Sequence, residues 1–373
     1  MHSPGARSSS SRPPLPRLPD GAVDTWPVTF TASESAYARI WLRGLLLTLL
    51  SAGLYLPWAR IACQRYLLQH TRVAGRALDD LRSPWPLLVR QGLAMSLLGG
   101  VMLAGGGSLT LGLLTASLAL AVWPMLQWMG LTQRIQRVTW AKRRLGFDAQ
   151  VREIYRVLGL PLGGLVALVW LWWLVTRLGS AMGWLLWGMA LGLCLLAVPF
   201  WLWRWWQFRQ THILLGALRL QWRLGPQEVF EWLLQALGSL LLGLALALGL
   251  AALLLGGLMW AGVWAGLGGV LPWLLACGLL AAWVLAWAVL PEAAARAHLL
   301  VWGQTGNAHL RVRCNLSVAA HARMRLRHGC LLLVTLGLYW PWAEVQARRL
   351  RMNATVVQSR VSLSALAARW PVK

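Results

Sequence analysis

Seven histidines, five cysteines and eleven carboxylates are the groups of this chain that could ligate a metal or move a proton. His70 and His212 follow apolar runs, and His298, His309, His321 and His328 crowd one polar stretch. None stands in an HExxH or His–Asp spacing, so the sequence sets out no metal centre and no cofactor. Cys63, Cys194, Cys277, Cys314 and Cys330 are odd in number and include no CxxC pair, which implies neither a disulfide framework nor zinc. Asp79-Asp80 is a carboxylate pair suited to a cation, yet Arg76 and Arg82 beside it fit a salt-bridged hairpin end better. Glu231 and Glu292 lie at the ends of apolar runs close to arginines, where ion pairing accounts for them better than a proton relay. There is no P-loop, no GxGxxG opening a strand-turn-helix unit and no GxSxG elbow. The expectation is a protein without catalytic residues, not an enzyme.

The chemistry the chain does carry is that of arginine. Lys and Arg number 35 against 11 Asp and Glu, a net charge of +24. Guanidinium groups hold phosphates and carboxylates, and a nucleic-acid partner is the first thought for such a balance. Their distribution opposes it, because they sit between long uncharged runs rather than on one soluble domain. The positive-inside bias explains them better, strengthened by anionic lipid headgroups at about 1 kcal/mol per basic residue near the surface. Candidate lipid contacts are Arg60, Arg65, Arg72, Arg137, Arg143, Arg144, Arg209, Arg219, Arg311, Arg313, Arg348 and Arg349. The expected partners are membrane lipids with anionic headgroups on the cytoplasmic side; a protein partner or a second copy of the chain stays open.

These residues must be positioned by elements that live in lipid. The chain is 58% hydrophobic and 12% charged, with a mean hydropathy of +0.56. One soluble core of 373 residues cannot hide that much apolar surface. Residues 1–25, rich in Ser, Pro and Arg, read as a disordered tail, 26–343 as a membrane domain, and 344–373 as a basic tail. Membrane segments are expected at about 38–58, 86–105, 108–130, 154–176, 180–203, 230–254, 268–290 and 326–343. Many of the 27 tryptophans end these runs, as belt residues do. Neutral polar residues inside them, such as Gln235 and Ser117, suit helix packing.

Near each end the chain carries one motif, Gly53-Leu-Tyr55-Leu-Pro57-Trp58-Ala and Gly337-Leu-Tyr339-Trp-Pro341-Trp342-Ala. The run Gly44–Ala59 would be about 24 Å of helix, short of a hydrocarbon core of about 30 Å. Either the two terminal runs cross, giving eight spans with both tails outside, or they are half-inserted, giving six spans with both tails inside. The central hairpins place the strongly basic connectors on one side, which is then cytoplasmic, and Gly105-Gly106-Gly107-Ser108 marks an outer turn.

Within the connectors, Thr71-Arg72-Val73-Ala74-Gly75 is echoed by Thr211 to Gly216 and, more distantly, by Thr305-Gly306-Asn307. Leu218, Leu220, Trp222 and Leu224 alternate with polar residues, as do Leu310, Val312, Cys314 and Leu316. Such alternation after a glycine turn reads as β-hairpins with one buried face, or else as amphipathic helices lying on the membrane. The fold class is therefore an all-α polytopic membrane protein of helical hairpin repeats, with six to eight membrane segments and small cytoplasmic β-hairpins in the connectors.

The terminal motif, with Phe30-Thr31, Tyr37, Ile40-Trp41 and the Thr-Arg glycine turn, resembles the YjgN-like family of bacterial inner-membrane proteins, a family of unknown function. The likeness is clearest over about 28–82 and 325–352, and Glu344 departs from the basic residue usual after the last Pro-Trp-Ala. It implies fold and an inner-membrane location, and transfers no catalytic residue. Three functions stand in order: a lipid-interacting or scaffold protein, an uncoupled channel or facilitator for a small solute, and a membrane-embedded lipid-modifying enzyme.

Overall fold

The computed structural model describes residues 23–215, 218–260, 278, 290–307 and 309–362. Along them one course recurs five times: strand, two helices, and a strand that pairs antiparallel with the first. The first unit is β1 (Asp24–Phe30), α1 (Glu34–Leu50), α2 (Leu56–Gln69) and β2 (Thr71–Val73). The second is β3 (Arg76–Asp80), α3 (Trp85–Gly107), α4 (Leu109–Gln136) and β4 (Val138–Trp140). The third opens with β5 (Arg143–Arg144) and β6 (Gly146–Phe147), then α5 (Val151–Leu178), α6 (Ala181–Thr211) and β7 (Ile213–Leu215). The fourth has β8 (Leu218–Arg219), β9 (Gln221–Trp222), α7 (Pro226–Trp260), α8 (Leu290–Gly303) and β10 (Thr305–Gly306). The fifth is β11 (Leu310–Cys314), α9 (Val318–Val334), α10 (Trp340–Asn353) and β12 (Thr355–Ser359).

The strands close on themselves. Nine pair in the order β5-β4-β3-β2-β1-β12-β11-β10-β9, and three in the order β6-β7-β8. Only Leu145 separates β5 from β6 and only Leu220 separates β8 from β9; their N–H groups keep the pairing alive through the carbonyls of Val138 (2.9 Å) and Ile213 (3.2 Å). Counting each of those two as one strand, the described residues form a closed ten-stranded antiparallel barrel. Closure leaves no unpaired edge, which lets strands of two to five residues persist where a lone hairpin of that length would not. Ala74-Gly75 and Ala141-Lys142, all four at positive φ, are the two-residue turns that match the twist of β2–β3 and β4–β5.

A single hydrogen bond repeats at the base of each unit. The residue just past the first strand donates its N–H to the cap carbonyl of the second helix: Thr31 to His70 (3.0 Å), Leu81 to Arg137 (2.9 Å), Asp148 to His212 (3.1 Å), Arg223 to Gln304 (3.3 Å) and Asn315 to Ala354 (2.8 Å). Each helix pair is thereby seated on the barrel rim in the same way. Above the rim each helix packs against the next, and α10 packs on α1, so the helices also form a ring.

Five of these helices, α3 to α6 and the Pro226–Leu246 part of α7, are long and apolar enough to cross a membrane. They turn residues such as Met102, Leu103, Leu196 and Leu246 outward, 65–83% exposed, a surface suited to lipid rather than water. The polar residues expected as packing groups join neighbouring helices: Ser117 Oγ accepts from Trp170 Nε1 (3.0 Å) and Gln235 Oε1 accepts from Arg296 (3.0 Å). α3 runs through the expected Gly105–Gly107 break, and only Ser108 interrupts the chain, its hydroxyl capping α4 by accepting from Leu111 N–H (3.1 Å). There Gly112 lies so close to Gly105 that a Cβ would come within 2.8 Å of its Cα.

Several expectations change. The segments 38–58 and 326–343 are not single runs: α1 stops at Leu50 and α9 at Val334, and the chain turns back into α2 and α10, which return to the barrel. Gly53 and Gly337 make these turns, and Tyr55 and Tyr339 cap the returning helices. Pro57 and Pro341, fully buried, occupy the first turn of α2 and α10, where a missing N–H costs nothing. Trp58 and Trp342 stack on Tyr55 and Tyr339 at 6.0 and 5.8 Å.

The β structure is larger than small separate hairpins, and 213–215, 218–219, 221–222 and 310–314 are strands, not surface helices. Residues 344–359, read from sequence as tail, complete α10 and supply β12, which pairs with both β1 and β11. β1 likewise begins inside the expected tail, at Asp24. Most of the expected 268–290 segment lies outside the described residues.

Candidate anion-binding site

Two spaces lie where the helices meet the barrel. The first is a cleft of about 230 Å³ between α2, α3 and α4, lined by Arg60, Arg82, Arg90, Arg134 and Arg137 with Gln64, Gln127 and Gln133. Its lining contains no carboxylate. Gly130 makes room for Arg90: a Cβ there would fall 2.1 Å from the guanidinium Nη1. Trp58 and Trp85 meet edge to face at 5.5 Å beside it, on the helices that carry Arg60 and Arg90. Among the described residues of the cleft, Arg82 pairs with a carboxylate. Asp80, 1% exposed, accepts from its main-chain N–H (3.0 Å) and from Nε (2.8 Å), and forms a salt bridge with Nη2. Arg82 also donates to Gln64 Oε1. The pairing expected near Asp79-Asp80 is thus made by Arg82, while Asp79 accepts from Gln69 (3.1 Å).

The second space is the barrel interior, a chamber of about 420 Å³. Strand alternation supplies apolar walls, among them Trp26, Val73, Leu78, Trp140, Leu310 and Val357. The helices, with Arg82 from the β3–α3 link, supply its polar roof: Gln64, Arg82, Arg134, Arg209, Gln210 and Arg348. Gln64, Arg82, Leu131 and Arg134 line both spaces and form the partition between them. No carboxylate lines the chamber. Burial lowers the Arg348 pKa, with Glu344 opposing and Arg351 and Arg134 adding to the shift. An arginine does not shed its proton at ordinary pH, so the burden appears as a demand for an anion.

The twelve sequence-selected arginines divide accordingly. Arg60 and Arg137 line the cleft, and Arg209 and Arg348 roof the chamber. Arg65 is held by the carbonyls of Asp80 (3.0 Å) and Arg82 (3.4 Å). Arg349 clamps α10 to the β1–α1 link through Glu34 (3.2 Å) and the Ala32 carbonyl (2.9 Å). Arg72, Arg219, Arg311 and Arg313 are exposed on the strands, Arg219 lying 3.5 Å from Asp148. Arg143 and Arg144 form β5. The cleft residues Arg90 and Arg134 and the chamber residues Gln64 and Gln210 were not singled out from sequence, since only the helix register brings them together; Arg82 was expected only as a partner of Asp79-Asp80.

Several other titratable groups are engaged in structure, whereas His298, His309, His321 and His328 each keep at least one buried ring nitrogen without a partner. Glu292 is bound to Arg296 (2.5 Å), and Glu153 lies 3.3 Å from His212 Nε2. His70 and His212 each place Nδ1 2.8 Å from the carbonyl four residues earlier. Among the described residues, no three His, Cys, Asp or Glu converge in a metal-ligand group.

No curated protein and no solved structure matches the chain. A family model does, over residues 25–370, a span that takes in the barrel strands save Asp24 of β1 and both spaces beneath the helices. The chain belongs to the bacterial proteins of unknown function grouped as DUF898, in keeping with its YjgN-like motifs.

Proposed function

We propose that this is a multi-pass, non-enzymatic protein of the bacterial inner membrane that holds an anionic lipid headgroup at the cytoplasmic face. The observation that carries the reading is the cleft, where Arg60, Arg82, Arg90, Arg134 and Arg137 gather with no carboxylate in the lining. Its position at the rim, beside the Trp58–Trp85 pair, suits the depth of a phosphate rather than of an acyl chain. The orientation follows from charge: the connectors on the barrel side are rich in arginine, while the opposite turns at Ser108 and Gly179 carry Arg177 alone.

The test is native mass spectrometry of the protein released from bilayers of phosphatidylcholine with and without phosphatidylglycerol. Retention of phosphatidylglycerol over phosphatidylcholine is expected, falling about fivefold for each of Arg60→Gln and Arg137→Gln. Equal retention of the two lipids, or preference unaltered in both variants, would remove the headgroup reading.

A further inference from the structure

The chamber inside the barrel offers a different kind of site from the cleft. Gln210 is 3% exposed, lines the chamber, and its Oε1 has no hydrogen-bond partner. Arg348, on the same roof, has an Nε that is likewise buried and unpartnered. A native fold rarely leaves buried polar groups unsatisfied; the Arg348 Nε–H calls for an acceptor, and the Gln210 amide, turned over, offers its NH2 to the same one.

The recurring course of the chain shows that Gln210 is out of place as a packing residue. Two positions before the cap residue of the second helix stand Leu68, Ile135, Gln210 and Trp302 in the first four units, and all four line the chamber. Three are apolar, as a roof over Trp26, Trp140 and Leu310 should be; the third unit alone puts an amide there. The same roof brings in the guanidinium groups of Arg134 and Arg209, both of which keep accessible surface. Beneath it the walls are apolar, and about 420 Å³ is the size of a small-molecule cavity.

From this we infer that the barrel encloses a single-chain anionic amphiphile, a molecule with one alkyl chain ending in a carboxylate or a phosphate monoester. The anionic end lies against Arg209 and Arg348, within reach of Gln210, and the chain lies among the strand side chains. Guanidinium groups bind either anion in charge-assisted, often bidentate fashion, which sets the charge requirement without choosing between the two. Ten strands enclose more room than the eight whose side chains can fill a small barrel, which is why an apolar chain fits here. A two-chain phospholipid is too large for this space, and only its headgroup is assigned to the cleft.

The experiment is photolabelling of the full-length protein with a long-chain carboxylate carrying a diazirine along its chain, followed by peptide mapping. Adducts are expected in β11 and β12, Leu310–Cys314 and Thr355–Ser359, strands that lie in the barrel and not in the lipid-facing helices. Laurate and dodecyl phosphate should compete and dodecanol should not; the stronger competitor identifies which anion the site prefers. Arg209→Gln together with Arg348→Gln should lower strand labelling by about tenfold or more, as loss of charged hydrogen bonds would. Val312→Phe, which narrows the chamber without touching its charge, should lower it as well. Adducts confined to the membrane helices, competition by dodecanol equal to that by laurate, or strand labelling undiminished in the double variant each overturn the inference. The phosphatidylglycerol measurement reports on the cleft by itself, so failure of either assignment is seen separately.

Discussion

Gly53 and Gly337 hold the same backbone, φ +92° and +90°, at the same point of two helix hairpins taken from opposite ends of the chain. Each donates its N–H to a carbonyl five residues back, Thr48 (2.7 Å) and Leu332 (2.8 Å). The residue before each, Ala52 or Leu336, is also left-handed. No neighbour lies within 4 Å of where a Cβ would sit on either glycine, so a side chain there meets only its own backbone. Gly53→Ala and Gly337→Ala should each destabilise the protein by about 1–2 kcal/mol, the penalty of a left-handed L-residue. Thermal unfolding in detergent checks this, and unchanged midpoints would show the turns to be more pliant than their geometry implies.

Asp80 is the charge on which the partition between cleft and chamber rests. It is 1% exposed and holds Arg82 by main chain and side chain. Asp80→Asn leaves the largely covered Arg82 guanidinium without its carboxylate, with only Gln64 beside it, a change expected to destabilise by about 2–3 kcal/mol. The conservative partner change Arg82→Lys should cost less, because a lysine keeps the charge but loses the fork. Chemical denaturation of the two variants side by side would show the order.

Acid should weaken the protein through two histidines. Burial lowers the pKa of His298 to about 4, helped by Arg351, and that of His321 to about 4, helped by Arg325, Arg351 and His298. Both are neutral in the folded state above that value, whereas an unfolded histidine titrates near 6.5. Between pH 6.5 and 4 the unfolded chain therefore binds more protons than the folded one, and stability falls as pH drops through that window. Above pH 6.5 their contribution is complete. Unfolding midpoints measured from pH 7.5 to 4.5 should decline, and His298→Gln with His321→Gln should flatten the decline.

The hairpins at the two ends make a topological statement that thiol labelling can read. Their tips are apolar and open, Leu336 at 94% and Leu50 at 85% exposed. If they enter the bilayer and turn back, a cysteine at Leu336 in a cysteine-free background reacts with a lipid-soluble maleimide and resists a charged one from either side. Cysteines at Gly106 and at Gln358 should label with the charged reagent from opposite sides of the membrane. Labelling of Gly106 from the cytoplasmic side and Gln358 from outside would reverse the orientation drawn from the arginines, and labelling of both from one side would show that the helix pairs do not cross.

How much of this was legible in the sequence depended on element length. The long uncharged runs gave α3 to α7, and the alternation of Leu310, Val312 and Cys314 with Arg311 and Arg313 gave β11. The closed barrel was hidden, because strands such as Thr305–Gly306 are too short to show a period and closure rests on pairing Asp24–Pro27 with Val356–Ser359. The reversals at Ser51–Tyr55 and Thr335–Tyr339 were masked by their apolar setting: Leu54 and Leu338 look like the middle of a span and are the tips of a turn. Arginines were plain to see, but not which of them face inward. Arg204 and Arg209 read alike in the chain, and only the helix register puts Arg209 on the chamber roof. Gln210 carried no signal at all until the four equivalent positions could be set beside one another.

The place of β12 in the ring bears on how the protein is made. It is the last of the described strands to leave the ribosome, and its neighbours are β1, among the first, and β11. While synthesis proceeds, four helix pairs can enter the membrane and be joined by their strand hairpins, yet the edges of β1 and β11 stay open until Thr355–Ser359 arrives. Open strand edges invite wrong pairing, so a nascent chain stalled before that point exposes a feature that the finished protein lacks.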